Sequence, residues 1–147
     1  MGLDMYLRAH RYLSSHRPEE KEVAEKIAEL VGFQKPFEVR TISAIAVQWR
    51  KANQIHAWFV DNVQGGDDDC REYDVDTDQL EQLLQLCDEV LATRDTSLLP
   101  PSDGFFFGST KIDDWYWQDV QETRDGLRVA LDAMADSRGW FSYQASW

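Results

Sequence analysis

The stretch DTDQLEQLLQLCDEVLA, residues 76–92, constrains the fold of this chain more than any other. Leu80, Leu83, Leu84, Cys87, Val90 and Leu91 recur at helical spacing and form one apolar stripe. A stripe this regular must lie against another apolar surface, so the remaining segments are read as the layers that cover it. Asp76 and Gln79 stand at the spacing of a capping box and mark its start.

Around this helix the chain alternates between two periodicities. LDMYLRAH (3–10) is read as a first strand. RPEEKEVAEKIAELVG (17–32) is read as a helix: Pro18 sits at its start, acids fill its first turn, Gly32 follows it, and Val23, Ile27, Leu30 and Val31 form its stripe. FEVRTISAIAVQW (37–49) is rich in β-branched residues and is expected to contain a second strand. QWRKANQIHAWFV (48–60) is read as one helix closed by QGG, and Tyr73 and Val75 as part of a short strand. IDDWYWQDVQETRDGLRVALDAMADS (112–137) is a last helix with the stripe Ile112, Tyr116, Val120, Leu127, Leu131 and Met134, capped by Thr110 with Asp113 and ended by Gly139. WFSYQASW (140–147) closes the chain as a strand that is a candidate neighbour of the first. The expected fold is α+β, a single compact domain over residues 1–147, in the order β-α-β-α-β-α-α-β. A chain of 147 residues fits one domain and buries about two thirds of its unfolded surface.

Charge is distributed unevenly. The net charge is −12, from 15 basic and 27 acidic residues. Residues 1–60 carry nine basic and seven acidic residues (+2), residues 61–78 one and eight (−7), and residues 79–147 five and twelve (−7). Such a surface repels nucleic acid and anionic membrane and attracts a basic partner. No apolar run reaches the length of a membrane span, and MGLDMYLRAH has no apolar core of a secretion signal. Cys70 and Cys87 have no metal or redox spacing, which suits a reduced, cytoplasmic protein.

Two segments carry the candidate binding residues. If 48–60 is one helix, Ala52, Ile55, Phe59 and Val63 form its buried face, and Trp49, Asn53 and His56 stack along the next face beside Arg50. A guanidinium grips phosphate with two hydrogen bonds, an indole stacks on a base, and an amide reads a base edge, so this set suits a planar anion. The competing reading places Trp49 and Trp58 in the core, pairs Arg50 with a nearby acid and gives His56 a buried polar contact. In GFFFGST (104–110), Gly108, Ser109 and Thr110 precede the last helix and are a candidate anion cradle, without the lysine of a P-loop.

No catalytic residue is assigned: His10, His16 and His56 belong to no hydrolase or metalloprotease motif. No metal or other cofactor is expected. Asp74, Asp76 and Asp78 alternate as calcium ligands do, but Gln79 and Gln85 stand where a calcium loop has Gly and Glu. Asp67, Asp68 and Asp69 are the candidate partner-binding acids of an alternative reading, an acidic inhibitor or DNA mimic.

MGLDMYL, WRKANQIHAWF, GFFFGSTKIDDWYW and the closing YQASW resemble a family of small hypothetical proteins of bacteriophages and prophages, over nearly the whole chain. Gln48 replaces the family's tyrosine, and Lys111 stands where the family has an acid, so no carboxylate role carries over there. The resemblance implies a protein acting in the host bacterial cytoplasm against a host process, including bacterial defence. Two modes follow by analogy: sequestration of a nucleotide-like anionic signal, usually in a homo-oligomer, or blockade of a host defence protein. A small nucleotide-acting enzyme is a third expectation.

Overall fold

The computed structural model describes residues 2–136 and 138–147. Its elements run β1 (Asp4–Tyr12), α1 (Pro18–Leu30), β2 (Thr41–Arg50), α2 (Asn53–Asn62), β3 (Tyr73–Val75), α3 (Thr77–Thr93), α4 (Asp114–Ala133) and β4 (Gly139–Ser146), with a short 3₁₀ turn at Thr96–Leu98. The order is the expected β-α-β-α-β-α-α-β, an α+β fold. All four strands form one antiparallel sheet in the order β2-β1-β4-β3, so the first and last strands lie side by side at its centre.

Strand alternation divides the sheet into two faces. Met5 and Leu7 pair across β1 and β4 with Ala145 and Tyr143, and all four are buried. On this face α3 and α4 pack together, with Leu80, Leu83, Cys87 and Val90 meeting Val120 and Leu127 in the core. The long stripe of α3 therefore finds its cover as its periodicity demands, and its N-terminal box forms, with Gln79 Oε1 accepting the Asp76 N–H at 2.9 Å. Gly126 lets α4 approach β2: a Cβ there would sit 2.9 Å from a Val47 methyl. The opposite face carries Tyr6, Arg8 and His10 of β1 and Trp140, Ser142 and Gln144 of β4.

Between Leu7 and Arg8 the β1–β2 register slips by one residue. The bulge moves the β2 residues before it to the other face, so Ile45 pairs with Arg8 and is 55% exposed.

Three expectations are corrected. The segment 48–60 is not one helix: Trp49 and Arg50 end β2, paired with Met5 and Asp4, and α2 begins at Asn53. Trp49 extends the inward alternation of Val47, and burying its ring across from Met5 outweighs a further helical turn. The last helix begins at Asp114, beyond both Thr110 and Ile112; Asp113 caps it, accepting from the N–H groups of Trp115 and Tyr116 at 3.1 and 3.2 Å. The apolar stripe of α1 meets no core: no residue of α1 is buried, and Leu30 and Val31 stand largely in solvent.

Candidate functional site

At the end of β2 the chain turns sharply into α2. Lys51 makes the turn at φ +60°, a left-handed conformation uncommon for a side-chain-bearing residue and costing about 1–3 kcal/mol where surroundings enforce it. Its N–H donates to Leu3 O at 2.8 Å. Its aliphatic stem runs between two glycines: a Cβ on Gly2 or on Gly108 would come within 3.2 Å of it. The turn geometry and the two glycines set the direction in which the Lys51 stem leaves the backbone, while the residue itself is exposed.

Asn53, the first residue of α2, is 2% exposed and holds the 102–109 loop against the helix. Its amide donates to Phe107 O at 3.1 Å and Ser109 O at 3.0 Å, while its oxygen accepts the Ser102 N–H at 2.9 Å. Leu3 N–H adds a bond to Phe106 O at 3.1 Å. Asn53 thus builds the wall of a site and has both donors committed, which corrects its expected role as a reader of a ligand edge.

The result is a cavity of about 450 Å³ between the end of β2, the start of α2, the 101–111 loop and the first turns of α4. Arg50, Lys51 and Lys111 converge on it, and Trp115, 71% exposed, stands at its side. Arg50 has a distant partner in Asp4, 3.7 Å from its Nε, and its side chain is 69% exposed, so its fork is open to a ligand. Among the described residues neither lysine has an ion pair within 4 Å. Asp113 and Asp119 also line the cavity. Burial pushes the Asp119 carboxyl up to about 6, helped by the charges of Glu122 and Asp113 and opposed by the Gln54 amide. The lining holds three cations against two carboxyl groups, one of them neutral for much of the time below pH 6. In a chain of net charge −12 this is a local reversal of sign.

The predicted site residues divide sharply. Arg50, Asn53, Gly108 and Ser109 come together at this cavity. Thr110 is exposed on the loop outside its lining. Ser109 Oγ accepts the Lys111 N–H at 3.1 Å, a local turn, and Asp113 already occupies the free N–H groups of α4, so no anion cradle forms at that helix start. Trp49 is 4% exposed, wedged against Phe59 and Tyr143, and offers no face to a ligand. His56 is 1% exposed; its Nδ1 lies 2.7 Å from Tyr143 Oη and its Nε2 3.0 Å from Asp68 Oδ1. Burial lowers its pKa against the opposing pull of Asp68. Both aromatic groups belong to the core, as the competing reading of that segment had it.

Two acids of the 67–69 triplet are also engaged internally. Asp68 accepts from Trp147 Nε1 at 3.1 Å besides meeting His56, and Asp69 pairs with Arg71 and accepts from Tyr73 Oη at 2.9 Å. Asp67 stays exposed.

Lys51, Lys111, Trp115 and Asp119 were missed by sequence reasoning. Lys51 lies inside the segment read as a helix, where its turn geometry is hidden, and the other three are brought in by the packing of α4. A second cavity, about 470 Å³, lies between α1 and residues 35–40. Two of its three cations are paired nearby, Arg40 with Glu38 and Lys21 with Glu25, and one wall is a helix without a buried residue. The 450 Å³ cavity has the stronger chemistry.

Among the described residues no cluster of three or more His, Cys, Asp or Glu is placed to hold a metal ion, and no helix is long and apolar enough to cross a membrane. Comparison with protein families, curated proteins and solved structures returned no match to this chain.

Proposed function

We propose that this protein sequesters a small nucleotide-like anion in the cavity at the β2–α2 junction, a binding site that carries out no chemistry on its ligand. One observation carries the reading: Arg50, Lys51 and Lys111 converge beside an exposed indole, Trp115, in a chain that is otherwise strongly acidic. Guanidinium and ammonium groups suit a phosphate, Trp115 suits the face of a base, and a cavity of about 450 Å³ accommodates a ligand of that size. With the phage resemblance, the ligand is a host signalling nucleotide and the protein counters a bacterial defence from within the host cytoplasm.

The test is a thermal-shift screen against nucleoside phosphates, cyclic dinucleotides and ADP-ribose derivatives. A ligand present at a hundred times its Kd adds about 2.7 kcal/mol of stability. Arg50→Ala and Lys111→Ala are each expected to weaken a hit about tenfold or more while leaving the unliganded midpoint within a degree or two. No shift with any class would sink the reading in favour of a protein target; loss of fold in Arg50→Ala would make that residue structural.

A further inference from the structure

The open face of the sheet carries a hydrogen-bonded relay that the cavity does not use. His10 lies at its centre, with Nδ1 2.6 Å from Ser43 Oγ on β2 and Nε2 2.6 Å from Ser142 Oγ on β4. Ser142 in turn donates to Glu72 Oε1, which stands 3.6 Å from His10 Nε2. Proton counting orients the chain. A carboxylate only accepts, so the single hydroxyl proton of Ser142 goes to Glu72. Ser142 Oγ must then accept from His10, which places the ring proton on Nε2. In the neutral imidazole the remaining nitrogen, Nδ1, carries the lone pair, and the partner facing it is the Ser43 hydroxyl, which donates. In that form the relay ends in a solvent-exposed serine whose hydroxyl proton points at the imidazole.

Three features mark this as more than a cross-strand polar pair. The bulge between Leu7 and Arg8 makes the pair: with unbroken register Ala44, not Ser43, would oppose His10. Trp140 stacks on the imidazole at 5.1 Å and 18°, shielding one face of the base from water. Ser142 is 2% exposed, and Arg8 Nη1, 3.8 Å from Glu72, holds the carboxylate end of the relay. Two apolar side chains flank Ser43 on this otherwise polar face: Ile45 lies two residues along β2, Tyr12 two residues beyond His10 on β1, and both are about half exposed.

We propose that Ser43 is a nucleophile for small esters with an apolar acyl group, with His10 as its general base and Glu72 and Ser142 as positioning residues. Ser43 Oγ forms a bond to the acyl carbon as its proton passes to His10 Nδ1. The bond from that carbon to the alcohol oxygen breaks, and the departing oxygen takes the proton from Nδ1. Water repeats the sequence on the acyl-serine: its oxygen bonds the acyl carbon, its proton passes through Nδ1 to Ser43 Oγ, and the carboxylic acid leaves. This activity is independent of ligand binding at the β2–α2 cavity.

The experiment uses the full chain and an alkyl fluorophosphonate, with adduct formation at each serine followed by peptide mass spectrometry. Ser15 and Ser146, both exposed and without an imidazole partner among the described residues, serve as references inside the same molecule. Ser43 is expected to react about a hundredfold faster than either, the scale of assistance by one positioned base. His10→Gln should remove that advantage, Glu72→Gln should reduce it, and Glu72→Asp should restore part of it, with the rate at Ser146 unchanged throughout. Hydrolysis of p-nitrophenyl butyrate should follow the same order and be absent in Ser43→Ala. Equal rates at Ser43 and the reference serines in the wild-type chain would overturn the proposal whatever the variants do.

Discussion

The indole N–H of Trp49 donates to the hydroxyl of Thr123 at 2.7 Å, joining the end of β2 to the middle of α4. The Thr123 hydroxyl in turn donates to Asp119 O at 2.6 Å, so one buried hydroxyl satisfies an indole and a helix carbonyl together. This bond ties the element that carries Arg50 to the one that carries Trp115 and Asp119. Thr123→Val keeps the shape and removes both bonds, leaving the buried indole N–H unpaired. The expected cost is about 1–3 kcal/mol, read from urea unfolding followed by tryptophan fluorescence. Thr123→Ser should retain most of the stability; a Thr123→Val protein as stable as the parent would show that the bond contributes nothing.

Asn53 should be as sensitive, for a different reason. Asn53→Asp keeps an acceptor toward the Ser102 N–H but turns carboxylate oxygen toward the carbonyls of Phe107 and Ser109. Losing two donors in a buried position is expected to cost about 2–3 kcal/mol. The 102–109 loop should loosen first, so hydrogen exchange at the Phe107 amide, bonded to Gly104 O within that loop, should accelerate before global stability is exhausted. Unchanged exchange there would rule out the clamp.

Asp119 makes stability depend on pH. Its folded pKa, about 6, lies above the ordinary 3.8, so between these values the folded state holds more protons than the unfolded one. Stability therefore falls as pH rises from about 4 to about 6 and stays reduced above that. Asp119→Asn removes the penalty: at pH 7.5 it should gain about 1–2 kcal/mol after allowance for partial solvent exposure, and near pH 4 it should gain little. It should also tighten binding of an anionic ligand at pH 7.5. A stabilisation that does not vary with pH would contradict the assignment.

His56 acts in the opposite sense. Burial lowers its folded pKa below the ordinary 6.5, so the unfolded state takes up the proton first as the solution is acidified. The stability it contributes is complete above pH 6.5 and is lost as pH falls through its folded value. His56→Gln should be less stable than the parent at pH 7.5, because Tyr143 and Asp68 lose their shared partner, and its stability should fall less steeply below pH 6.5. Denaturant midpoints between pH 4.5 and 7.5, taken for this variant and for Asp119→Asn, separate the two opposing slopes. A parallel fall in parent and His56→Gln would remove His56 as the titrating group.

The regular elements were legible because their signals are local. The stripe on α3, the Asp76–Gln79 box and the alternation in β1 each depend on residues within a few turns or a single strand, and each appears as read. The boundary at Trp49 was not legible. Trp49, Arg50 and Asn53 fall at helical spacing, and only the pairing of Trp49 with Met5 in β1 keeps them in strand geometry. The stripe of α1 shows the converse failure: Leu30 and Val31 have helical spacing, yet no layer of the fold covers them.

By itself the amino-acid sequence determined the order of elements, the α+β class and the excess of acid, because periodicity and charge are properties of short stretches. Tertiary structure alone decided which polar groups are free to act. Asn53 and His56 look as available as Arg50 in the linear chain, but an amide or imidazole is available only if folding leaves its donors and acceptors unpaired, and the carbonyls of Phe107 and Ser109, the Tyr143 hydroxyl and Asp68 already hold them. Long-range packing likewise brought Lys111, Trp115 and Asp119 to Arg50, and a one-residue bulge set Ser43 rather than Ala44 against His10. Such pairings join residues tens of positions apart, and nothing in the neighbourhood of either residue records them.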